Sequence, residues 1–366
     1  MSNRSYDVVF VGGGLAAVLL LKELTPLPGT VAVINPEPPL QKPPVHWSYW
    51  SRLPTPYDSL CLGAWRQARV ANAPPESIAP FTLRLVRSSD FFESAAGFLD
   101  SLPIDWLRER AVSISRRKDE AYEIVTDAGT VHARWVFDSA VGVSPAFPDP
   151  NRPRVVLSGP GLRVRADRPV FDAATATLFD PLDERSFAYL LPLSPVEALL
   201  ESASFGAAAI AENEDRQPLL RYLRRHHPGA GFSVIHAEHG TIPLGFAPPR
   251  TAGSRHVLPG AKRGLVRPSA GYGIVRIAAE SDRLGRLWRQ GRKLPPSRMD
   301  APRWRLLDEY FLRLAARDPR RPVTLLERVM QRSSIVRSLR FIDEDLSARE
   351  LAPLLLAALP AVLRGA

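Results

Sequence analysis

A single cysteine, Cys61, stands among 366 residues. It excludes an internal disulfide framework and a cysteine-based zinc site, and it reads as a small packing residue rather than a nucleophile. Lysine is nearly as scarce. Five lysines against 43 arginines underlie the net charge of +10, a bias that reflects a GC-rich coding sequence. No basic run is interleaved with aromatics, so nucleic acid is not an expected partner. A basic surface still favours anionic lipid by non-specific attraction. No stretch reaches the roughly 20 apolar residues that span a bilayer. Residues 351–363 are apolar but short and broken by Pro353 and Pro360. They read as a helix docked on the core or, in a sharper reading, as an interfacial anchor. The first strand begins within a few residues of Met1, which leaves no room for a cleavable signal. A cytoplasmic protein, peripheral to the membrane, is expected. No metal centre is expected either. His226-His227 lie in an arginine-rich loop without carboxylates, and His236 and His239 are three apart in a strand-to-loop region.

What is present is a core. Hydrophobic residues make up 45% and charged residues 23%, the balance of a globular enzyme with enough chain for one large or two ordinary domains. Its most informative stretch is residues 6–35. Val8-Val9-Phe10-Val11 reads as a buried parallel strand. Gly12-Gly13-Gly14-Leu15-Ala16-Ala17 follows and fits G-x-G-x-x-[GA]. Residues 16–24 continue at helical spacing, and Val31-Ala32-Val33-Ile34 supply a second strand. Gly12 permits the tight turn, Gly14 lets backbone approach a pyrophosphate, and Ala17 lets helix and strand pack closely. The helix N-terminus then faces the phosphates with free N–H groups. The second strand should end in an acid that holds the ribose. Asn35 stands there, with Glu37 two residues later between Pro36 and Pro38. Either can serve, and Asn35 ranks slightly ahead.

Residues 36–58 are proline-rich and loop-like. Residues 81–86 alternate as a strand, and Ser89-Asp90 cap a helix over 91–102 with Phe91, Ala95, Phe98 and Leu102 on one face. Residues 111–117 and 122–126 form a hairpin, and 131–137 a returning strand. From Gly161, short strand candidates over 162–165, 176–179, 186–191, 198–205 and 232–236 suggest an inserted antiparallel sheet. Helices are expected over 274–288, 303–316 and 322–331, with Ser347 capping another near Glu350. The expected organisation is a nucleotide domain over 1–80, 88–160 and 250–295, a substrate sheet over 81–87 and 161–249, and a helical C-terminal region over 296–366.

Several segments together resemble the lycopene cyclase family of flavoproteins, along nearly the whole chain. They are Val11-Gly12-Gly13-Gly14-Leu15-Ala16, Trp47-Ser48-Tyr49, Val136-Phe137-Asp138-Ser139-Ala140, the run from Tyr189 to Pro195, Leu200-Glu201, and Arg267-Pro268-Ser269-Ala270-Gly271-Tyr272. Leu307-Asp308-Glu309-Tyr310-Phe311-Leu312 and Arg340-Phe341-Ile342-Asp343 match the bacterial branch. The resemblance implies an α/β, FAD-binding fold of the p-hydroxybenzoate hydroxylase type, with an inserted antiparallel sheet and a helical C-terminal part. It implies FAD, active when reduced, with NADPH as reductant. Trp47 and Asp138 would lie near the flavin. Gly260, Gly264, Ser269, Gly271 and Tyr272 would form the second flavin loop. Ala270 stands where the family usually has Thr.

The resemblance also places an essential acid at Glu201. By itself, a strand glutamate is more often solvated or paired with an arginine. Beside an apolar tunnel, however, desolvation raises its pKa, and a neutral carboxylic acid can protonate an alkene. The aromatics Trp47, Tyr49, Trp50, Tyr189 and Tyr272 would wall a pocket for the resulting cation. The implied activity is closure of an ionone-type ring on an acyclic polyene without net electron transfer. A flavin-dependent monooxygenase, halogenase or prenyl reductase is the alternative. Against it, the halogenase W-x-W-x-I-P signature and any Asp-Gly pair are missing. A flavin-binding protein without catalysis is a third reading, motivated by Asn35, Ala203 and Ala270.

Overall fold

The computed structural model describes residues 3–141, 153–210, 216–245, 255–295 and 302–363. The central strand of the first sheet is Asn3–Val11. It pairs in parallel with Val31–Ile34 on one side and Gly129–Asp138 on the other. Ile104–Leu107 extends the sheet past Val31–Ile34, the hairpin Ala111–Arg116 and Tyr122–Thr126 continues it antiparallel past Gly129–Asp138, and His256–Val257 adds a short parallel strand. Val8 and Phe10 face a layer built from the helices Leu15–Leu24, Ser88–Asp100 and Ile274–Arg289. Val9 and Val11 face the other side, against Ile114, Tyr122 and Ile124. Both faces are covered, which is why Val8 to Val11 form an unbroken apolar run rather than an alternating one.

The second sheet is ordered Phe232–Leu244, Val155–Ala166, Glu197–Gly206, Ser186–Ser194, Thr175–Pro181, Gln67–Val70 and Glu76–Ser77. Leu162, Val164, Ala198 and Leu200 point to one face and pack on the helix Gln217–His226. Tyr189, Leu191 and Leu199 point to the other and pack on Val323, Ile335 and Leu339 of the C-terminal helices. Those helices are Pro302–Arg317, Arg320–Arg332, Ile335–Ile342 and Ala348–Leu363. The last begins with a reciprocal cap: Glu350 N donates to Ser347 Oγ at 3.3 Å, and Ser347 N donates to Glu350 Oε2 at 2.9 Å.

Several sequence expectations shift. His46–Ser51, expected as loop, is a strand, paired antiparallel with Thr82–Arg87, which also pairs with Cys61–Trp65. Residues 81–87, grouped with the substrate sheet, therefore lie in a third sheet, while Gln67–Val70 and Glu76–Ser77 join the second. The helix after Arg87 starts at Ser88 rather than beyond Asp90. Asp90 sits inside its first turn, paired with Arg87 at 2.7 Å, instead of capping it. The arginine-rich segment before His227 is a helix, because Leu219, Tyr222 and Leu223 share one buried face at helical spacing.

Candidate functional site

The glycine turn forms a cradle. Gly12 has φ +91°, and a Cβ there would lie 2.8 Å from Ser139 Oγ and 3.0 Å from Ala140 N, so only glycine suits this turn. Gly14 is the N-cap of the helix Leu15–Leu24 and faces open space, with nothing within 4 Å of a would-be Cβ. No side chain caps the helix, and its first turn holds no acid. The first amides and the positive dipole end, at Leu15 and Ala16, are left for an anion. Ala17 is buried beneath, and Gly260 of the second glycine loop comes against Ala16. Asn35 is buried at the end of its strand, with its side chain against Gly13 and its Nδ2 donating to the carbonyl of Glu37. Its Oδ1 remains as an acceptor on the turn, whereas Glu37 is exposed. These features fit the pyrophosphate and ribose of a dinucleotide.

Asp138 stands opposite Val11, at the end of the strand that leads into the glycine turn. It is fully buried, and its Oδ2 accepts from Lys262 Nζ at 2.6 Å with His256 Nε2 at 3.7 Å, while Oδ1 accepts from Ala140 N. Burial lowers the Lys262 pKa, and Asp138 opposes that shift. The carboxylate is thus committed to an internal ion pair, because a buried anion needs a counter-charge. Lys262 sits on the turn Gly260–Arg263, which Gly264 closes in a left-handed conformation.

A cavity of about 250 Å³ lies between the second sheet, the strand His46–Ser51, the loop 269–274 and the C-terminal helices. Its wall is mostly apolar: Leu157, Leu178, Phe179, Phe187, Met330 and Leu339 are typical. Glu201 lines it, and burial, followed by the neighbouring charge of Glu238, pushes its carboxyl up to about 8. Among the described residues no arginine pairs with it.

The strand register explains the arrangement. Glu238, Gly161, Glu201 and Tyr189 stand directly opposite one another on four adjacent strands. Residues in one such row share a face of the sheet. Gly161 lets the two glutamates converge. A Cβ on it would lie 2.8 Å from Glu238 Cγ and 3.4 Å from Glu201 Cγ. Glu238 is engaged by His46, whose Nδ1 lies 2.7 Å from Oε2 and whose backbone N–H donates at 3.2 Å. His236 Nε2 lies 3.4 Å from the same oxygen. The donor atoms of His46, His236 and Glu238 all fall within 4.8 Å of one another. With the carboxylate already taken up by N–H donors, the group reads as a hydrogen-bonded cluster.

The expected aromatics divide. Trp50 and Tyr272 line the cavity and meet edge to face at 4.3 Å. Tyr189 lines it beside them, and burial raises its hydroxyl well above the ordinary value and that of Tyr272 to about 12. Trp50 Nε1 donates to Asp343 Oδ1 at 3.0 Å, and burial pushes the Asp343 carboxyl up to about 6. Trp47 reaches the wall while packing on Phe91 and Phe92. Tyr49 does not belong to the pocket. It falls on the opposite face of its strand from Ser48 and Trp50, and its hydroxyl meets Thr55 at 2.9 Å and Cys61 at 3.9 Å. Ser269, Ala270 and Gly271 contribute wall, and the buried Ser269 Oγ has no partner in the described structure. An orphaned donor beside small residues fits the polar edge of a flat ring.

The sequence matches the family described as lycopene cyclase protein over residues 7–363. The chain belongs to the lycopene cyclase family. No curated protein gives a significant match. Solved structures similar to this lycopene cyclase family member include a geranylgeranyl bacteriochlorophyll reductase-like protein from Thermoplasma acidophilum. It is 14% identical with TM-score 0.57, covering 100% of this chain and 99% of that one. A p-nitrophenol 4-monooxygenase from Pseudomonas putida is 15% identical with TM-score 0.53 over 98% of each chain. A flavin-dependent brominase is 14% identical with TM-score 0.57, over 97% of this chain and 94% of that one. At such identities the likeness carries the fold, which is the expected p-hydroxybenzoate hydroxylase type. Glu238 and His46 were not singled out in the sequence. The available signal was Gly161 and Gly240 inside strands, since interior strand glycines mark close approach.

Proposed function

We propose that this protein is a flavin-dependent, non-redox cyclase that closes an ionone-type ring on an acyclic polyene. The observation that carries the reading is Glu201, held neutral near pH 7 in an apolar cavity. A neutral carboxylic acid there has a proton to give and a mostly apolar wall around it. Its O–H bond breaks as a C–H bond forms at the terminal alkene. The internal double bond then attacks the cation, and a C–H bond breaks to leave the ring double bond. Trp50 and Tyr272 present aromatic faces beside the acid, worth ~2 kcal/mol to a desolvated cation.

FAD is the fitting group for the cradle, with Leu15 and Ala16 amides toward the pyrophosphate, Asn35 toward the ribose and Ser269 toward the ring. Bound and reduced, with NADPH as reductant, it supplies negative charge near the cation. A substrate this apolar resides in lipid, so a peripheral membrane location follows. Exposed Leu306 and Tyr310 on one helix and Leu355 and Leu356 on another suit it. No helix among the described residues is long and apolar enough to cross a membrane.

The test is anaerobic incubation of the purified protein with FAD, dithionite and lycopene, read by chromatography. Ring-closed product with reduced flavin, and none with oxidised flavin, is expected. NADPH-dependent oxygen consumption with a gain of one oxygen in the product would replace this reading by a monooxygenase.

A further inference from the structure

His46 shares the cavity wall with Glu201, and its two ring nitrogens are not equivalent. Nδ1 lies 2.7 Å from Glu238 Oε2. A carboxylate can only accept, so the hydrogen sits on Nδ1 and the neutral ring carries its lone pair on Nε2. Nε2 is buried and has no hydrogen-bond partner among the described residues. The His46 side chain is 2% exposed and that of Glu238 4%. The pair is therefore dry, oriented and unused by the protonation step.

Ring closure needs a proton acceptor as well as a proton donor. After the internal alkene has attacked, a proton must leave carbon before the ring double bond is fixed. Hydrocarbon, aromatic and hydroxyl groups make up nearly all of the rest of the wall, and none of these is a competent base near neutral pH. We propose that His46 is the base that removes this proton, with Glu238 fixing its tautomer and compensating the imidazolium charge. The inference rests on the cyclase reading above. In the step, the C–H bond breaks, its electron pair becomes the ring double bond, and the proton bonds to Nε2. Glu201, having given up its own proton, is then a carboxylate. The imidazolium then gives its Nε2 proton to the Glu201 carboxylate in the cavity both residues line, which restores the neutral acid and leaves the Nδ1–H facing Glu238. Both groups are then back in their starting protonation states, and the cycle closes without net exchange.

The experiment compares the wild type with His46→Gln, both purified with bound flavin. Each is incubated anaerobically with reduced flavin and lycopene, and products are resolved by chromatography and NMR. The variant should still protonate substrate, yield the wild-type ring at least tenfold more slowly, and divert the cation to water-quenched products or to a ring with its double bond elsewhere. Wild-type product at a rate within twofold of wild type overturns the assignment. If His46→Gln loses its flavin or its fold, Glu238→Gln, which keeps the shape and removes the charge, must show the same diversion; an unaltered product and rate there also overturn it. Absence of any ring product from the wild type overturns the cyclase reading itself, and the base with it.

Discussion

Glu201 and Glu238 are not on neighbouring strands, yet they share one neighbourhood because Gly161 is the only residue between them. Glu238 is held by the N–H groups of His46, whereas Glu201 meets no cation. One carboxylate keeps its charge company and the other keeps its proton. That asymmetry, which neither strand contains alone, separates an acid from an ordinary pair of glutamates.

Replacing Glu201 tests both the chemistry and its cost. Glu201→Gln should abolish turnover while the protein stays yellow. Glu201 titrates near 8 when folded, against about 4.5 when unfolded. The folded state therefore holds the proton more tightly, and stability is lost as pH rises from about 4.5 to about 8. The glutamine variant escapes this loss and should be the more stable protein, by on the order of 3 kcal/mol at pH 7. Thermal melts at pH 5 and pH 8 check it: a wild-type deficit that does not grow with pH counts against the shift. Wild-type turnover should fall as pH rises through about 8.

Gly161→Ala places a methyl 2.8 Å from Glu238 Cγ. Sheet backbone cannot retreat, so the glutamates must part. We expect a destabilisation of about 1–3 kcal/mol and an alkaline limb of the pH–rate profile displaced to lower pH. Denaturant melts and the profile together check this, and an unchanged profile would show that the two carboxylates do not interact.

Gly14→Val tests the cradle without touching the fold. The space beyond Gly14 is empty of protein, and its φ of −78° suits any residue. The melting temperature without FAD should stay within a few degrees, while the purified protein loses its yellow colour and no longer takes up added FAD. A yellow variant would place the pyrophosphate elsewhere.

Lys262→Met leaves Asp138 buried and without its closest cation. A cost of about 3–5 kcal/mol is expected. Adding Asp138→Asn should recover much of it, since the amide carries no charge to strand. Calorimetry on the single and double variants settles this. Equal melting temperatures for Lys262→Met and wild type would mean that His256 alone suffices.

Much of the first sheet was legible in the sequence because its signals are local. A buried parallel strand, its glycine turn and the helix that follows occupy adjacent residues, and their order is the fingerprint. The strand His46–Ser51 was not legible. Its aromatics, flanked by Pro43, Pro44, Pro54 and Pro56, resemble a loop until Thr82–Arg87 pairs with it, some 35 residues downstream. Tyr49 was misplaced for the same reason, since the face on which a strand residue lies is set by its partner. The pairing of Asp138 with Lys262 joins residues 124 apart, and nothing near either one announces it.

By itself the sequence determined the nucleotide turn and the family, each carried by neighbouring residues, and it pointed to Glu201 through the family resemblance. Only the tertiary structure decided what Glu201 is. Its proton is retained by burial in a cavity assembled from two sheets, a loop and two C-terminal helices, and by the charge of a glutamate 37 positions away. Desolvation and electrostatic coupling depend on distance in space, and the pairing of strands sets that distance.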